Sequence, residues 1–568
     1  MVQLQSGSVR RTTLLILLLS ALTFLAGLGR PAIGDSDEAF YAEAGREMVV
    51  SGDWLTPHYN YELRFQKPIL FYWLVAGTYA VTGVAESAAR LWSALAGIGL
   101  ALLTAAIGRR WYDERTARLG GLIVATAFGY FSIGRLSLPD LPLAFFITLA
   151  TWTAIRGLAD PVSRRTAWLA VSGAALGLGF LTKGPVGVLI PGLVILPVLW
   201  IERRRTSWPI RALAIAAAIA LAIGVPWYAA MAWVHGAAYL DSFFVGDNLE
   251  RFATDRFNEP RPVWFYGPIV LGGLLPWTPL LAAAVPPAAR WLARRVRPGP
   301  ESVRLMLWAA LPLLFFTASI GKQPRYILPI LPPLALLAAR AVESRIQRRS
   351  GIDRAAHGAG HGIQRRRSDR LIQGATLTIG LLLIALSVLV YRAMPLVIMV
   401  DPSLVAGGAA LILIAGAGVL AASLLIADRH LPLAVALASA LTLLGLQYGL
   451  SPAGRDPVQE MSALVLKHRT GDEPLGTFRV FVRNLIFYTH VQRVDLPNED
   501  AARAFLQRPG RVLLVITEDD LPRVTGRGIE VRTVAEVLYF NASAVKLRTL
   551  LSPDPERDLE RVLLVTNR

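Results

Sequence analysis

Thirteen stretches of the chain are dominated by apolar residues and are separated by shorter polar segments. A helix that crosses a membrane needs about 20 predominantly apolar residues, so the pattern predicts a polytopic α-helical membrane protein with about 13 transmembrane helices. The predicted spans are 12–32, 88–108, 119–134, 141–157, 167–182, 185–201, 210–233, 263–285, 305–320, 326–342, 371–391, 403–426 and 431–450.

One further apolar stretch, "PILFYWLVAGTYAVTG" at 68–83, is only 16 residues long and rich in aromatic residues. Aromatic side chains favour the interface between lipid and water, and the stretch is short for a span. We expect an interfacial or re-entrant segment within a first outer loop over 33–87, preceded by a first span that is retained rather than cleaved as a signal peptide.

The pattern changes after residue 450, where short β-rich runs such as "RVLLVITEDD" alternate with short helical ones. This alternation is typical of an α/β domain. We therefore expect a transmembrane domain over 1–450 and a small soluble α/β domain over 451–568.

Composition supports this picture, since 54% of the 568 residues are hydrophobic, only 17% are charged and the mean hydropathy is +0.47. The net charge of +18 comes from basic residues interspersed between apolar stretches, which indicates membrane topology rather than nucleic-acid binding. There are no cysteines, so disulfides and thiolate chemistry are excluded.

The polar segments alternate in charge along the chain. Segments such as "RRWYDERTAR" (109–118) and "ERRRTSWPIR" (202–211) are strongly basic, and basic loops stay on the cytoplasmic side. This places the N-terminus in the cytoplasm and the C-terminal domain in the periplasm. A flexible linker is the simpler interpretation of His357 and His361 in the basic loop 345–370, although a weak metal site there is an alternative.

The opposite face collects charges that orientation does not require. These residues are Asp37, Lys67, Asp140, Lys183, Arg251, Lys322 and Arg325. Basic residues in outer turns run against the usual topology rule, so each needs a local reason, and function is one.

Each of these residues also has a structural alternative. Asp37 could cap a helix or complement its positive end, although Asp35 or Ser36 could do so instead. Asp140, next to a proline, could cap the following helix, and Lys183 could extend to the lipid interface. The other cations could form ion pairs with lipid head groups or with structural carboxylates.

An enzyme on this face has no nucleotide donor, and the chain contains no P-loop or dinucleotide motif. An activated sugar carried on a lipid phosphate would meet the need, because cations stabilise the departing phosphate. A carboxylate would remove the proton of the acceptor hydroxyl. Asp37 and Asp140 suit that work, and the cations suit the phosphate.

The outer loop "DSDEAFYAEAGREMVVSGDWLTPHYN" (35–60) and "RFQKPILFYWL" (64–74) resembles that of the bacterial aminoarabinose transferases of lipid A, which are GT-C glycosyltransferases related to protein O-mannosyltransferases. The likeness continues in order through "RLSLPDLPLAFF" (135–146), "LGFLTKGPVGVLIPGLVIL" (178–196) and "GKQPRYILPILPPLALLAAR" (321–340). It covers most of residues 10–342.

The resemblance implies a GT-C enzyme of the bacterial inner membrane and an inverting displacement. Its donor would be an undecaprenyl-phosphate sugar such as 4-amino-4-deoxy-L-arabinose, and its acceptor lipid A, another envelope glycolipid or a protein. Asp37 and Asp140 match the family's two acidic positions. The positions that look like phosphate-binding groups are Lys67, Lys183, Arg251 and Tyr326, with Lys322 and Arg325 in the same turn as Tyr326.

Three positions depart from the family's pattern. Phe40 stands where a basic residue is usual, Gln66 where a glutamate is usual, and "FNEPRPVWFY" (257–266) lacks the family's histidine. Glutamate and histidine there would suit a divalent metal, so the sequence leaves a metal open without predicting one, and names no other cofactor.

Two other classes of function remain open at this point. A lipid transporter or flippase would place ionisable groups near the middle of the membrane and often shows repeated halves; no repeat is visible, and the charges sit at the outer ends of the spans. An assembly protein acting through its soluble domain would leave the outward-facing carboxylates and cations unexplained.

Overall fold

The structure is a computed structural model that describes residues 2–159, 163–204, 207–250, 253–254, 260–293, 297–356, 369–451, 456–526, 528–541 and 545–568. Arg251, His357 and His361, which the sequence analysis singled out, lie outside the described residues.

Helices make up most of the chain up to residue 450. They are α1 (Val2–Leu25), α2 (Asp37–Ser51), α3 (Leu70–Thr82), α4 (Glu86–Trp111), α5 (Glu114–Thr126), α6 (Phe128–Gly134), α7 (Asp140–Leu158), α8 (Arg165–Lys183), α9 (Val186–Ile201), α10 (Ile210–Gly224), α11 (Pro226–Leu240), α12 (Tyr266–Gly273), α13 (Val285–Leu292), α14 (Pro300–Ala318), α15 (Leu331–Ala356), α16 (Arg370–Arg392), α17 (Pro402–Leu425) and α18 (Leu431–Leu450). A π-helix (Asp241–Glu250) follows α11, and 3₁₀ turns cover Thr278–Ala284, Pro324–Ile330, Met394–Leu396 and Asp428–His430.

The chain is a multi-pass membrane protein, and nine of its described helical segments are long and apolar enough to cross a membrane. The number rises to eleven if each of two bent pairs counts as one span: α5 with α6, bent by 51°, and α12 with Thr278–Ala289, bent by 103°. The sequence predicted about 13. The other two predicted spans correspond to α8 and α9; α9 has only 16 residues, and α8 is diluted by glycine, serine and threonine.

The first outer loop is itself largely helical. The helix α3 has 13 residues, a length of about 20 Å, which is too short for the ~30 Å hydrocarbon core and agrees with the prediction that this segment does not span. It packs on α2 at Gly45, where an added Cβ would lie 2.6 Å from Cγ1 of Val75. A short hairpin, β1 (His58–Tyr59) and β2 (Glu62–Leu63), joins the two helices.

The C-terminal part is built on a five-stranded sheet of order β4-β3-β5-β7-β6. Its strands are β3 (Leu475–Thr477), β4 (Arg493–Asp495), β5 (Leu513–Thr517), β6 (Arg532–Tyr539) and β7 (Glu560–Thr566), and its helices are α19 (Pro457–His468), α20 (Leu485–Thr489), α21 (Glu499–Leu506), α22 (Leu521–Thr525), α23 (Leu547–Leu551) and α24 (Pro555–Asp558).

The strand β5 is buried on both faces of this sheet. It pairs in parallel with β3, which also pairs in parallel with β4, and antiparallel with β7, whose other neighbour β6 is antiparallel too. Leu513 and Val515 pack on one face, against residues of α19, whereas Leu514 and Ile516 pack on the other, against α21. The α/β character predicted from the alternating runs is confirmed.

The C-terminal part is hydrogen-bonded to the start of the first outer loop. The Asp35 carboxylate accepts from the backbone N–H groups of Val482 (3.1 Å) and Arg483 (2.6 Å). Ser36, not Asp35, caps α2, since its hydroxyl oxygen accepts from the N–H of Glu38. Asp37 is therefore the first residue of the helix, and its side chain is not used as the cap.

Candidate active site

A cavity of about 650 Å³ opens where the ends of several elements meet. The start of α2, the segment following β2, the start of α7, the end of α8, the π-helix and the 3₁₀ turn at 324–330 all contribute to it. Its charged lining residues are Asp37, Arg64, Lys67, Asp140, Lys183, Asp247 and Arg325.

Asp37 is the more accessible of the two predicted catalytic carboxylates, with 45% of its side chain exposed. It forms an ion pair with Arg325, which lies 288 residues later in the chain. Burial by itself would raise the pKa of Asp37, but the charge and hydrogen bond of Arg325, helped by Lys67 and Arg64, outweigh it and hold the pKa below its ordinary value. The carboxylate is thus kept ionised and able to accept a proton.

Asp140 is buried, with only 4% of its side chain exposed. Lys183 Nζ lies 2.6 Å from one of its oxygens and Arg325 Nε lies 3.6 Å from the other. Because Arg325 contacts both carboxylates, Asp140 holds the cation that faces Asp37. The Lys183 ammonium also lies 5.2 Å from the ring centre of Tyr326, a cation–π distance.

A third ion pair joins the first outer loop to the π-helix. Lys67 Nζ donates to Asp247 Oδ1 at 3.1 Å, and the Asp247 side chain is 3% exposed. Apolar side chains also line the cavity, among them Leu143, Ile147, Val186, Leu189, Phe315 and Phe316. Charged and apolar lining residues together suit an amphiphile with an anionic head.

Glu38 ties the segments that carry Asp37 and Asp140 to each other. Its fully buried carboxylate accepts from the N–H of Gly34 (2.9 Å), from the N–H of Ser137 (2.9 Å) and from Arg90 on α4 (Nε, 2.7 Å). The Ser93 hydroxyl, one turn further along α4, donates to the carbonyl of Leu138. The helix α4 therefore sets the relative positions of the start of α2 and the turn before α7.

The structure brings six of the eight predicted site residues together around the cavity: Asp37, Lys67, Asp140, Lys183, Arg325 and Tyr326. It does not bring Lys322 there. The Lys322 ammonium is buried and donates to the carbonyls of Ser319 (2.5 Å) and Arg261 (3.2 Å), so backbone oxygens satisfy it and its side chain does not line the cavity. The eighth residue, Arg251, lies outside the described residues.

Sequence reasoning missed two charged residues of the cavity, Arg64 and Asp247. Arg64 lies three residues before Lys67 in "RFQKP", so its spacing could have placed it on the same loop. Asp247 lies in the outer segment 235–262, but no local pattern distinguishes it from Asp241 in the same segment.

Among the residues that the structure describes, no group of three or more histidine and acidic side chains is arranged to hold a metal ion. Gln66, where the family resemblance leads one to expect glutamate, lines the cavity with a neutral amide. The described residues do not fit a divalent metal here.

Comparison with known proteins identifies the class of protein to which this fold belongs. The family model for dolichyl-phosphate-mannose-protein mannosyltransferase matches residues 14–240. ArnT from Cupriavidus metallidurans, solved with bound undecaprenyl phosphate, shares the fold with a TM-score of 0.72 over 98% of both chains at 22% identity. The oligosaccharyltransferase of Archaeoglobus fulgidus gives a TM-score of 0.56 at 13% identity over 90% of this chain and 70% of its own. The fold is therefore that of the GT-C membrane glycosyltransferases.

Two curated relatives narrow the class. An undecaprenyl phosphate-alpha-4-amino-4-deoxy-L-arabinose arabinosyl transferase of Pseudomonas aeruginosa is 37% identical over 396 residues, which are 68% of this chain and 66% of that protein. Arabinosyl transferase 2 of Proteus mirabilis is 34% identical over 330 residues, or 58% of each chain. The matches thus cover a little under two thirds of the relatives' length. The chain is similar to the bacterial aminoarabinose transferases over about two thirds of its own length.

Proposed function

We propose that this protein is an inverting glycosyltransferase of the bacterial inner membrane that moves a sugar from an undecaprenyl-phosphate donor to an acceptor on the periplasmic face. Similarity to the aminoarabinose transferases supports 4-amino-4-deoxy-L-arabinose as the sugar and lipid A as the acceptor. The observation that carries the proposal is the accessible, ionised Asp37 beside Arg325, in a cavity lined by several cations and by apolar side chains.

In the proposed reaction the Asp37 carboxylate takes the proton of the acceptor hydroxyl as its oxygen attacks the anomeric carbon. The bond between that carbon and the donor phosphate breaks on the opposite face, and the phosphate leaves with the electron pair. Arg325, Lys183 and Lys67 stabilise the charge that develops on it. Asp140 acts by holding Lys183 and Arg325 in place.

The orientation belongs to the same proposal. The basic loops lie in the cytoplasm together with the N-terminus, and the cavity and the α/β domain over 451–568 face the periplasm. The transmembrane domain over 1–450 then presents its outer loop 33–87 to the acceptor, with the α/β domain docked on it through Asp35.

The test is turnover by the purified protein with an undecaprenyl-phosphate sugar and lipid A. Asp37→Asn keeps the shape of the side chain but removes its basicity, so we expect kcat to fall about 100-fold or more. Asp35→Asn is the matched control, because Asp35 is two residues away and bonds only to the C-terminal part in the contacts above. Equal turnover by Asp37→Asn and wild type would disprove the catalytic assignment.

Mass spectrometry of the envelope lipids and glycans of a deletion strain identifies the sugar and the acceptor. Loss of aminoarabinose from lipid A is the expected result. Unchanged lipids and glycans, together with lipid transport by the reconstituted protein, would instead support a transporter.

A further inference from the structure

Among the residues that the structure describes, the charges that line the cavity do not balance. Four of these residues are cations and three are carboxylates: Arg64, Lys67, Lys183 and Arg325 against Asp37, Asp140 and Asp247. Three of the four cations form ion pairs with these carboxylates. The remaining one is Arg64, which has no ion pair with any residue that the structure describes.

Arg64 is nevertheless held in place by neutral groups. Its Nε donates to the hydroxyl of Tyr72 at 3.1 Å, and its guanidinium carbon lies 3.9 Å from the ring centre of Phe40. The Phe40 ring is in turn supported by the edge of Tyr59, at 4.7 Å between ring centres. Tyr72 and Phe40 therefore hold the guanidinium through its Nε and through one of its two faces.

The two terminal nitrogens of Arg64 make no hydrogen bond to the described residues and belong to a side chain that lines the cavity. A guanidinium presents its N–H groups in a planar fork that matches two phosphate oxygens. A partly buried cation that no carboxylate contacts directly is poorly compensated for the water it has lost, so an anion that pairs with this fork would be stabilised.

We propose that Arg64 binds a phosphate group of a lipid substrate in this cavity, with Phe40 as the platform that orients its guanidinium. The inference deepens the proposed function and rests on it for the identity of the lipid. The phosphate belongs either to the polyprenyl donor or to a phosphorylated glycolipid acceptor, and both present the same anionic oxygens.

This arrangement also accounts for the departure at position 40. Phe40 stands where the family resemblance leads one to expect a basic residue, yet the guanidinium of Arg64 lies across its ring. The positive charge reaches the first turn of α2 from the segment after β2 instead of from the helix itself.

The first measurement is the affinity of the purified full-length protein for sugar-free undecaprenyl phosphate. If the donor phosphate is the ligand, Arg64→Gln should weaken binding about 10-fold or more, a loss typical of a charged hydrogen-bonding partner, and Arg64→Lys should restore part of it. Phe40→Leu should cause a smaller loss, because it keeps the cation but removes the ring.

Arg483→Gln is the matched control, since the Arg483 guanidinium also approaches Phe40, at 5.8 Å, but does not line the cavity. Its affinity should equal that of wild type. A thermal unfolding midpoint close to that of wild type verifies that each variant is folded.

The second measurement covers the acceptor, using lipid A with its phosphates and the same lipid after phosphatase treatment. If the acceptor phosphate is the ligand, Arg64→Gln should raise KM about 10-fold for the phosphorylated lipid only and leave binding of undecaprenyl phosphate unchanged. If a folded Arg64→Gln protein matches wild type in both measurements, the inference is wrong.

Failure of the proposed function would look different. A wild-type protein that transfers no sugar but binds either lipid phosphate in an Arg64-dependent manner would retain this phosphate site and refute the transferase. A wild-type protein that binds neither lipid phosphate would overturn the inference.

Discussion

Glu43 and Glu47 lie one turn apart on α2, and both are buried. Arg46 binds the Glu43 carboxylate through two nitrogens, at 2.8 and 2.5 Å, so Glu43 is paired. Glu47 instead accepts from the backbone N–H of Tyr61 at 3.1 Å. Burial and the neighbouring charge of Glu43 raise the pKa of Glu47 to about 8. These glutamates hold the hairpin β1–β2 against α2 and do not line the cavity.

The raised pKa of Glu47 predicts how the stability of the protein depends on pH. The folded protein keeps a proton on Glu47 up to about pH 8, whereas the unfolded chain releases it near pH 4.3. Stability is therefore lost as pH rises between these values and levels off above pH 8. Glu47→Gln removes this dependence, so its melting temperature should exceed that of wild type by a margin that grows from pH 5 to pH 8.

The exposed Glu62→Gln, in the neighbouring strand β2, is the control for the loss of a negative charge. It should shift the melting temperature by a similar amount at every pH. A margin for Glu47→Gln that stays constant with pH would contradict the assignment of a neutral Glu47.

At the scale of elements, α4 holds the segments that carry Asp37 and Asp140 at a fixed separation. Arg90 is fully buried and, besides Glu38, donates to the carbonyls of Leu28, Pro31 and Ala32 at the end of α1. One helix thus fixes the end of α1, the start of α2 and the turn before α7. Removing one partner of a buried ion pair costs about 3–5 kcal/mol. The Arg90–Glu38 pair therefore resists any separation of the segments that it joins.

We therefore predict that Glu38→Gln lowers kcat about 10-fold or more with little change in KM for the donor. The amide oxygen can still accept from Arg90 Nε and Ser137, but the amide nitrogen cannot accept from Gly34 or from the second nitrogen of Arg90 as the carboxylate does. The junction that fixes the separation of Asp37 and Asp140 is therefore weakened. Steady-state kinetics with varied donor measures the effect.

Glu202→Gln is a matched control, since Glu202 makes a similarly buried two-nitrogen ion pair with Arg304 (2.8 and 2.6 Å) and does not line the cavity. It should lower thermal stability while leaving kcat near the wild-type value. Similar kcat losses in both variants would mean that Glu38 affects activity only through stability.

At the scale of the whole molecule, the length of α3 decides the topology. The helix α4 is the only long apolar helix between residues 62 and 115 in this fully described stretch, because α3 is too short to span. The two residues should then face opposite sides of the membrane. The C-terminal part, docked on the outer loop through Asp35 and through Asn60 with Arg493, should share the side of residue 62.

The absence of cysteine from the chain allows a direct test. Single variants Glu62→Cys, Arg115→Cys and Arg557→Cys replace exposed residues. In intact spheroplasts a thiol reagent that does not cross membranes should label positions 62 and 557 but not 115. Labelling of both 62 and 115 would mean that α3 spans the membrane.

Much of the fold could be predicted because hydropathy is a property of local composition. Each of the 13 predicted spans contains helix in the structure, and the switch to an α/β pattern after residue 450 is visible in the alternation of short runs. The sequence could not show that α5 and α6 are bent by 51° or that the helices around Pro276 are bent by 103°. A window of apolar residues reports length and polarity, but the direction of a helix axis depends on its neighbours.

The candidate site, like the fold, could be predicted from the sequence only in part. The sequence by itself determined which charged residues stand at the ends of spans, because a charge is costly inside lipid and its position along the chain can be read directly. Only the tertiary structure decided their partners: Asp37 with Arg325, Asp140 with Lys183, and Lys67 with Asp247. These pairs join residues 43 to 288 positions apart, and such contacts depend on how helices pack. The same packing turned Lys322 towards backbone carbonyls and left Arg64 as the cavity cation without an ion pair among the described residues.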